Sequence, residues 1–262
     1  MPRRYIDISV ELRGDIASDP PQALPKIEYR DHHATAPAFA DYFGIQVSDL
    51  PEGEYAAVER CTISTHNGTH VDAPYHYFSR MNRALASGET ASATIDALPL
   101  EWFFQPAVKL DCRDYDDGYV LTPGDVEAQL RKIGHSLRPL EIVVVNTRAG
   151  QRYGHDDYVD AGCGVGRAAT LWLLEQGIRV VGTDGWSWDA PFSHTRRKVQ
   201  ATGDTSLIWE GHRAGRDIGY SQIEKLHNLE CLPSDGFEIV CFPVKVHRAS
   251  AGWARAVAIL SS

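Results

Sequence analysis

The stretch Ser64-Thr65-His66-Asn67-Gly68-Thr69-His70-Val71-Asp72-Ala73-Pro74-Tyr75-His76 holds three histidines and one carboxylate within eleven residues. Imidazole and carboxylate are the ligands that zinc, manganese and iron(II) share. Gly68 and Pro74 interrupt any helix, and Thr69 and Val71 are β-branched, so the stretch reads as an extended loop with one tight turn. In an extended segment His70 and Asp72 face the same side, and His66 can swing onto that side across the Gly68 turn. Three ligands then converge and leave coordination positions open, as in a catalytic rather than a closed structural site. His76 lies beyond Pro74, close to such a metal without having to bind it, where a histidine is placed to move protons. Any one of these residues alone reads as solvated loop; four potential ligands at this density read as a site.

The pattern His-x-Gly-Thr-His-x-Asp-x-Pro-x-His resembles the signature of the metal-dependent cyclase-like hydrolases, the family of bacterial kynurenine formamidase and isatin hydrolase, without a substitution at a fixed position. The resemblance implies amide hydrolysis, with His66, His70 and Asp72 as metal ligands and His76 as catalytic acid/base. It also implies a second metal position from a histidine and, twelve residues later, a glutamate, a spacing that His212 and Glu224 have. Gln222, two residues before Glu224, competes as a ligand or as a contact supporting one. The family's Gly-x-Asp-x-x-Ser-x-Asp segment is matched by Gly182, Asp184, Ser187 and Asp189, and the tryptophan-rich form here looks more like the isatin-hydrolase branch. The tryptophan that the formamidases carry shortly after the first strand has no counterpart, the first tryptophan being Trp102.

Elements must position these residues. Tyr5–Leu12 alternates as a first strand, and Arg13 to about Leu50, with four prolines, reads as irregular. Within it Phe39, Tyr42 and Phe43 cluster, either on a short helix packed against the body or as an aromatic lid. Tyr55–Ser64 reads as a strand delivering the ligand loop, and Ser79–Leu98 as loop with a helical turn. Ala107–Leu110 is a short strand. Thr122-Pro123-Gly124-Asp125 starts a helix that runs to Ile133 and stops at Gly134. Glu141–Thr147, with its Ile-Val-Val-Val run, reads as a buried central strand. The glycines of Gly162–Gly166 follow no strand and lack dinucleotide-loop spacing, so they lead into a helix, Arg167–Gln176, rather than cradle a phosphate. Arg179–Gly182 is the next buried strand, and it ends in Thr183-Asp184-Gly185-Trp186-Ser187-Trp188-Asp189, where α/β proteins collect chemistry. Glu238–Val246 and Arg255–Leu260 are the last strands, with Pro243 at an edge or bulge. These readings make residues 1–262 a single α/β domain, a mostly β core with flanking helices; the resemblance implies the swivelling β/β/α, cyclase-like fold.

With 262 residues, 43% hydrophobic and 23% charged, the chain has an ordinary globular composition. A net charge of −9 argues against nucleic acid and anionic membrane surfaces as partners. No apolar run approaches the ~20 residues that span a bilayer, and the N-terminal stretch lacks a secretory h-region, so the expected location is the cytoplasm. The five cysteines are scattered without Cys-x-x-Cys and read as buried free thiols.

The expected function is a metal-dependent amide hydrolase using one or two divalent ions, manganese or zinc. Trp186, Trp188, Phe39 and Phe43 are the candidates to stack a flat aromatic substrate. An apolar slot of that kind favours ring-opening of an aryl lactam such as isatin to isatinate, with Arg213 or the metal holding the anionic product. Hydrolysis of N-formylkynurenine is the alternative; a non-hydrolytic cyclase or lyase, or a metal-dependent binding protein, are rivals from other classes. The resemblance adds a homodimer or higher homo-oligomer.

Overall fold

The Ile-Val-Val-Val run is the middle of the molecule. The computed structural model describes residues 3–261. Its strands are β1 (Arg3–Asp7), β2 (Lys26–Arg30), β3 (Val58–Thr62), β4 (His70–Asp72), β5 (Arg80–Met81), β6 (Thr90–Ala91), β7 (Phe104–Asp111), β8 (Val120–Leu121), β9 (Ile142–Asn146), β10 (Gly164–Val165), β11 (Val180–Thr183), β12 (Ser221–Glu224), β13 (Phe237–Val240), β14 (Ala251–Trp253) and β15 (Val257–Ser261). Its α-helices are α1 (His32–Phe43), α2 (Pro74–Tyr77), α3 (Pro123–Ile133), α4 (Arg167–Glu175), α5 (Phe192–Thr202) and α6 (Glu210–Asp217).

A mixed sheet runs β1-β15-β13-β7-β9-β11-β12-β4-β14. Its middle strands β7, β9, β11 and β12 are parallel, and the strands on both flanks are antiparallel. Strand β9 is buried on both faces. Ile142 and Val144 join Val71, Ile223 and Phe237 on one side, while Val143 and Val145 join Leu173, Val126 and Trp188 on the other. That two-sided burial is why the strand reads as a continuous apolar run instead of an alternation. Helices α3, α4 and α6 supply Val126, Leu130, Leu173 and Ala214 to the second face. The start of α3 follows its sequence signals: the Thr122 hydroxyl accepts from the Asp125 amide, the Asp125 carboxylate accepts from the Thr122 amide, and Gly134 closes the helix at φ 68.

Several expectations are corrected. The segment from Arg13 to Leu50 contains β2 and the twelve-residue α1, started by Asp31 accepting from the Ala34 amide and continued through Pro37. Its prolines sit where they interrupt little else. Strand β3 does not join the main sheet; with every residue exposed, it pairs only with β2 in a separate arm. Strand β13 stops at Val240, which leaves Pro243 outside any strand, and β14 follows. Cys112, Cys163 and Cys241 are buried thiols as expected, but Cys61 and Cys231 are exposed. No helix among the described residues is long and apolar enough to cross a membrane.

Candidate metal centre

Strands β4 and β12 lie side by side in antiparallel register, His70 opposite Glu224 and Asp72 opposite Gln222. Alternation puts these four side chains on one face, while Val71 and Ile223 enter the core on the other. The Gly68 turn, at φ 63, brings His66 back over the strand. His66 Nδ1 lies 2.9 Å from Asp72 Oδ1, and His70 Nε2 lies 3.3 Å from Asp72 Oδ1 and 3.5 Å from Glu224 Oε2. The stretch is not extended throughout. Pro74 begins the short helix α2, where its missing N–H costs nothing. The turn directs His76 inward, its Nε2 3.8 Å from Asp72 Oδ2.

Helix α6 brings the last donor. His212 Nε2 lies 3.8 Å from both Asp72 Oδ2 and Glu224 Oε1. Its Nδ1 is in a short hydrogen bond with Asp189, whose carboxylate also accepts from the Gly211 and His212 amides and so anchors the start of α6. His70 Nδ1 lies 2.9 Å from the Gly68 carbonyl and donates to it. In both rings the outer nitrogen is thereby occupied and Nε2 faces the centre, the usual orientation of metal-ligating histidines. The Trp188 amide, 2.9 Å away, donates to Glu224 Oε1 and orients it.

The donor set fits a divalent cation. His66, Asp72 and His76 form one group, and His70, Asp72 and Glu224 another, each with its ligand atoms within 4.8 Å of one another. Asp72 is fully buried, yet neither of its oxygens, nor His70 Nε2, has a hydrogen-bond partner. Buried polar atoms left in that state cost about 1–3 kcal/mol each. Burial opposes the charge on Asp72, but His70, His212 and His66 hold its carboxyl well below the ordinary range. Burial likewise opposes charge on His70 and His212. The carboxylates Asp72 and Glu224 nevertheless push His70 up to about 9, and Asp189 and Asp72 push His212 to about 10. Two buried carboxylates therefore demand positive charge at their midpoint.

The adjoining pocket, about 240 Å³, is lined by His66, His76, Trp186, Trp209, Glu224 and Lys225 among others. Trp186 thus forms part of the pocket wall. Trp188 does not: it is a core side chain whose indole donates to Thr170 Oγ1 at 3.0 Å. Phe39 and Phe43 stay on the arm, away from this chain's pocket lining, Phe39 stacking on Tyr55 with centroids 3.5 Å apart. Gln222 is fully buried and donates to the Tyr220 hydroxyl beside Asp72. Arg213 points outward to the Thr205 and Ser206 carbonyls and cannot hold a product. Three residues that the sequence did not single out matter here. Trp209 stacks on His212 with centroids 4.4 Å apart. Lys225 and Asp19 form a buried ion pair at the inner wall; Lys225 also donates to the His66 carbonyl, and Asp19 accepts from Trp186 Nε1 and Asn67 Nδ2.

The sequence profile of the family described as "Putative cyclase" matches residues 6–190. Kynurenine formamidase of Erythrobacter litoralis is 26% identical over 209 residues, 79% of each chain. An isatin hydrolase bound to the product analogue thioisatinate has the same fold, with a TM-score of 0.74 at 20% identity over 99% of this chain and 93% of that one. So has isatin hydrolase A of Labrenzia aggregata, bound to benzyl benzoate, with a TM-score of 0.74 at 22% identity over 99% and 94%. The structural likenesses carry the fold, the profile carries the family, and the chain belongs to the cyclase family.

Proposed function

We propose that this cyclase-family hydrolase is a metal-dependent amidohydrolase acting on a non-peptide C–N bond, and that it opens a flat aryl lactam of the isatin type to its isatinate. The observation that carries the reading is the convergence of four imidazoles and Glu224 on the buried, unpartnered carboxylate of Asp72. By the family spacing His66, His70 and Asp72 would hold one ion and Asp72, His212 and Glu224 a second, while the ligand atoms that converge within 4.8 Å are those of His66, Asp72 and His76 and of His70, Asp72 and Glu224; zinc and manganese both suit such donors. When bound, the ion supplies Lewis acidity, polarising the amide carbonyl and lowering the pKa of a water from ~15.7 toward ~7.

The chain's own groups do the rest. Burial lowers His76 to about 4, so its imidazole is neutral near neutral pH and can accept a proton at Nε2. His76 takes the proton of the attacking water and returns it to the leaving nitrogen. Its ring is held by His66 on one side, centroids 4.2 Å apart, and by the edge of Trp209 on the other. Trp186 offers a ring face to a flat substrate. Lys225 and Asp19 line the pocket with their charges paired to each other and further engaged by the His66 carbonyl, Trp186 Nε1 and Asn67 Nδ2, which leaves less for a zwitterionic amino-acid tail.

The formamidase relative supports a second reading, N-formylkynurenine hydrolysis. Turnover of both compounds on one metal-loaded preparation decides between them. Isatin should have the higher kcat/KM, and a tenfold preference the other way, about 1.4 kcal/mol in transition-state binding, assigns the site to the formamide. A product that gains one water excludes the cyclase and lyase readings. Tyr29, Tyr42 and Phe43, exposed on the arm, support a homodimer or higher homo-oligomer in which Phe39 and Phe43 reach a second copy's pocket; sedimentation tests it. The free thiols accord with a cytoplasmic location.

A further inference from the structure

Helix α5 buries none of its residues, although it carries Phe192 and Val199. Its apolar side faces a groove of about 450 Å³ lined by Phe192, Thr195, Arg196, Val199, Ile208 and Trp209. Arg196 is the one charged side chain in that wall. Phe192 and Trp209 also line the central pocket, so the two spaces meet along a shared boundary.

That boundary is held in place. Trp209 sits at φ 59, ψ 39, immediately before α6, in the left-handed region that a bulky residue adopts at a cost on the order of 1 kcal/mol or more. The strained backbone sets the indole parallel to His212, at 18°, with its edge region toward His76. Phe192 meets Trp186 edge-on, centroids 5.4 Å apart. The groove therefore opens beside the reacting centre, separated from it by two aromatic rings. The central pocket alone, about 240 Å³, is smaller than the roughly 300–1,000 Å³ usual for small-ligand sites. It has room for the reacting ring system and little beyond it.

We infer that the groove is a second part of the substrate site. The aryl amide lies at the metal centre, and an uncharged apolar substituent of several carbons, an alkyl chain or a second ring, passes between Phe192 and Trp209 to lie against Val199 and Ile208. The substrate class is then an aryl lactam or aryl amide bearing such a substituent, not the bare bicycle. This rests on the amidohydrolase reading. The groove wall carries no carboxylate to pair with an ammonium group, so a zwitterionic tail gains nothing there.

The test uses the metal-loaded enzyme and two series, 5-alkylisatins and 4-alkylformanilides, from hydrogen to hexyl. The wild type should gain roughly fourfold in kcat/KM per buried methylene until the groove is filled. Val199→Trp, which fills the groove, should flatten the ratio of long to short substrates to within about twofold; Thr195→Trp is the second variant should the first not fold. A flat series in the wild type overturns the inference while leaving amide hydrolysis standing. If neither series is turned over, the amidohydrolase reading fails, and the groove is tested by titrating 4-alkylbenzamides against tryptophan fluorescence. A Kd that falls with chain length in the wild type but not in Val199→Trp supports the groove as a ligand site, and a Kd independent of chain length overturns it. A concentration-dependent dimer that Ile208→Asp dissociates, with the wild-type series flat, assigns the groove to a second copy of the chain and overturns it as well.

Discussion

Two halves of one sheet are built on opposite terms. In the parallel half, β7, β9 and β11 are buried by helices on one face and loops on the other, and the charged groups inside have partners, Asn146 Oδ1 being left without one. Lys109 Nζ donates to the Leu229 and Leu232 carbonyls, and Asp184 accepts from Asn146 and from both the amide and the hydroxyl of Thr147. In the antiparallel half, β4 is three residues long and wholly buried, two of the three are ionisable, and their inward atoms are unpartnered. The first half has little left to bind; the second is held by its strand pairing and by Val71 and Ile223 in the core, and leaves its inward polar atoms for a ligand. Stability and chemistry are thus kept on neighbouring strands of the same sheet, which lets each be altered with little effect on the other.

The largest separation should come from Asp72→Asn, since Asp72 belongs to both ligand groups. Activity should fall by more than about 10⁴, beyond what loss of a proton carrier alone costs, and bound metal should be lost. The melting temperature of the metal-free protein should fall by no more than ~4 °C, about 1 kcal/mol. A large drop would mean that the carboxylate supports the fold as well. His76→Ala comes next, with kcat down by about 10²–10⁴ and metal content unchanged by elemental analysis. Metal loss here would make His76 a ligand, as its place in the His66–Asp72–His76 group allows.

The converse change is Leu173→Ala in the fully buried middle of α4. It should cost about 2–5 kcal/mol in denaturant unfolding while kcat/KM below the transition stays near wild type. A matching loss of activity would break the separation. Asp189→Asn should weaken metal affinity about 10–100-fold in competition titrations, because Asp189 orients His212 without touching the metal position. The smallest effect is expected of Thr122→Ala, about 1 kcal/mol of stability and no change in metal affinity, from loss of one helix cap far from the site.

What could be read in the sequence follows the same division. The capping residues of α3, the run of β9 and the positions of α4 and β11 are dictated locally, so pattern alone finds them. Helices α5 and α6 escaped because their apolar side chains are too few to mark a stripe: α5 faces a groove and α6 carries mostly polar residues around its buried glycines and His212. The His66–His76 stretch announced itself by density, whereas His212 and Glu224 were found only through a family spacing. Trp188 reads in sequence as a stacking residue but plugs the core, because a tryptophan at a strand end looks the same in either place. Asp19, Trp209 and Lys225 carry no local signal: their importance exists only where the folded chain brings them together.

The Lys225–His66 hydrogen bond joins residues 159 apart, and the Lys225–Asp19 pair spans 206. Contacts of such separation close late, because loop-closure entropy must be met before they contribute. During synthesis the His66–His76 stretch is complete long before Glu224 and Lys225 emerge. For that interval the chain displays half of a metal site with nothing to shape it. The donor atoms of His70, Asp72 and Glu224 accordingly come together only once β12 has docked beside β4.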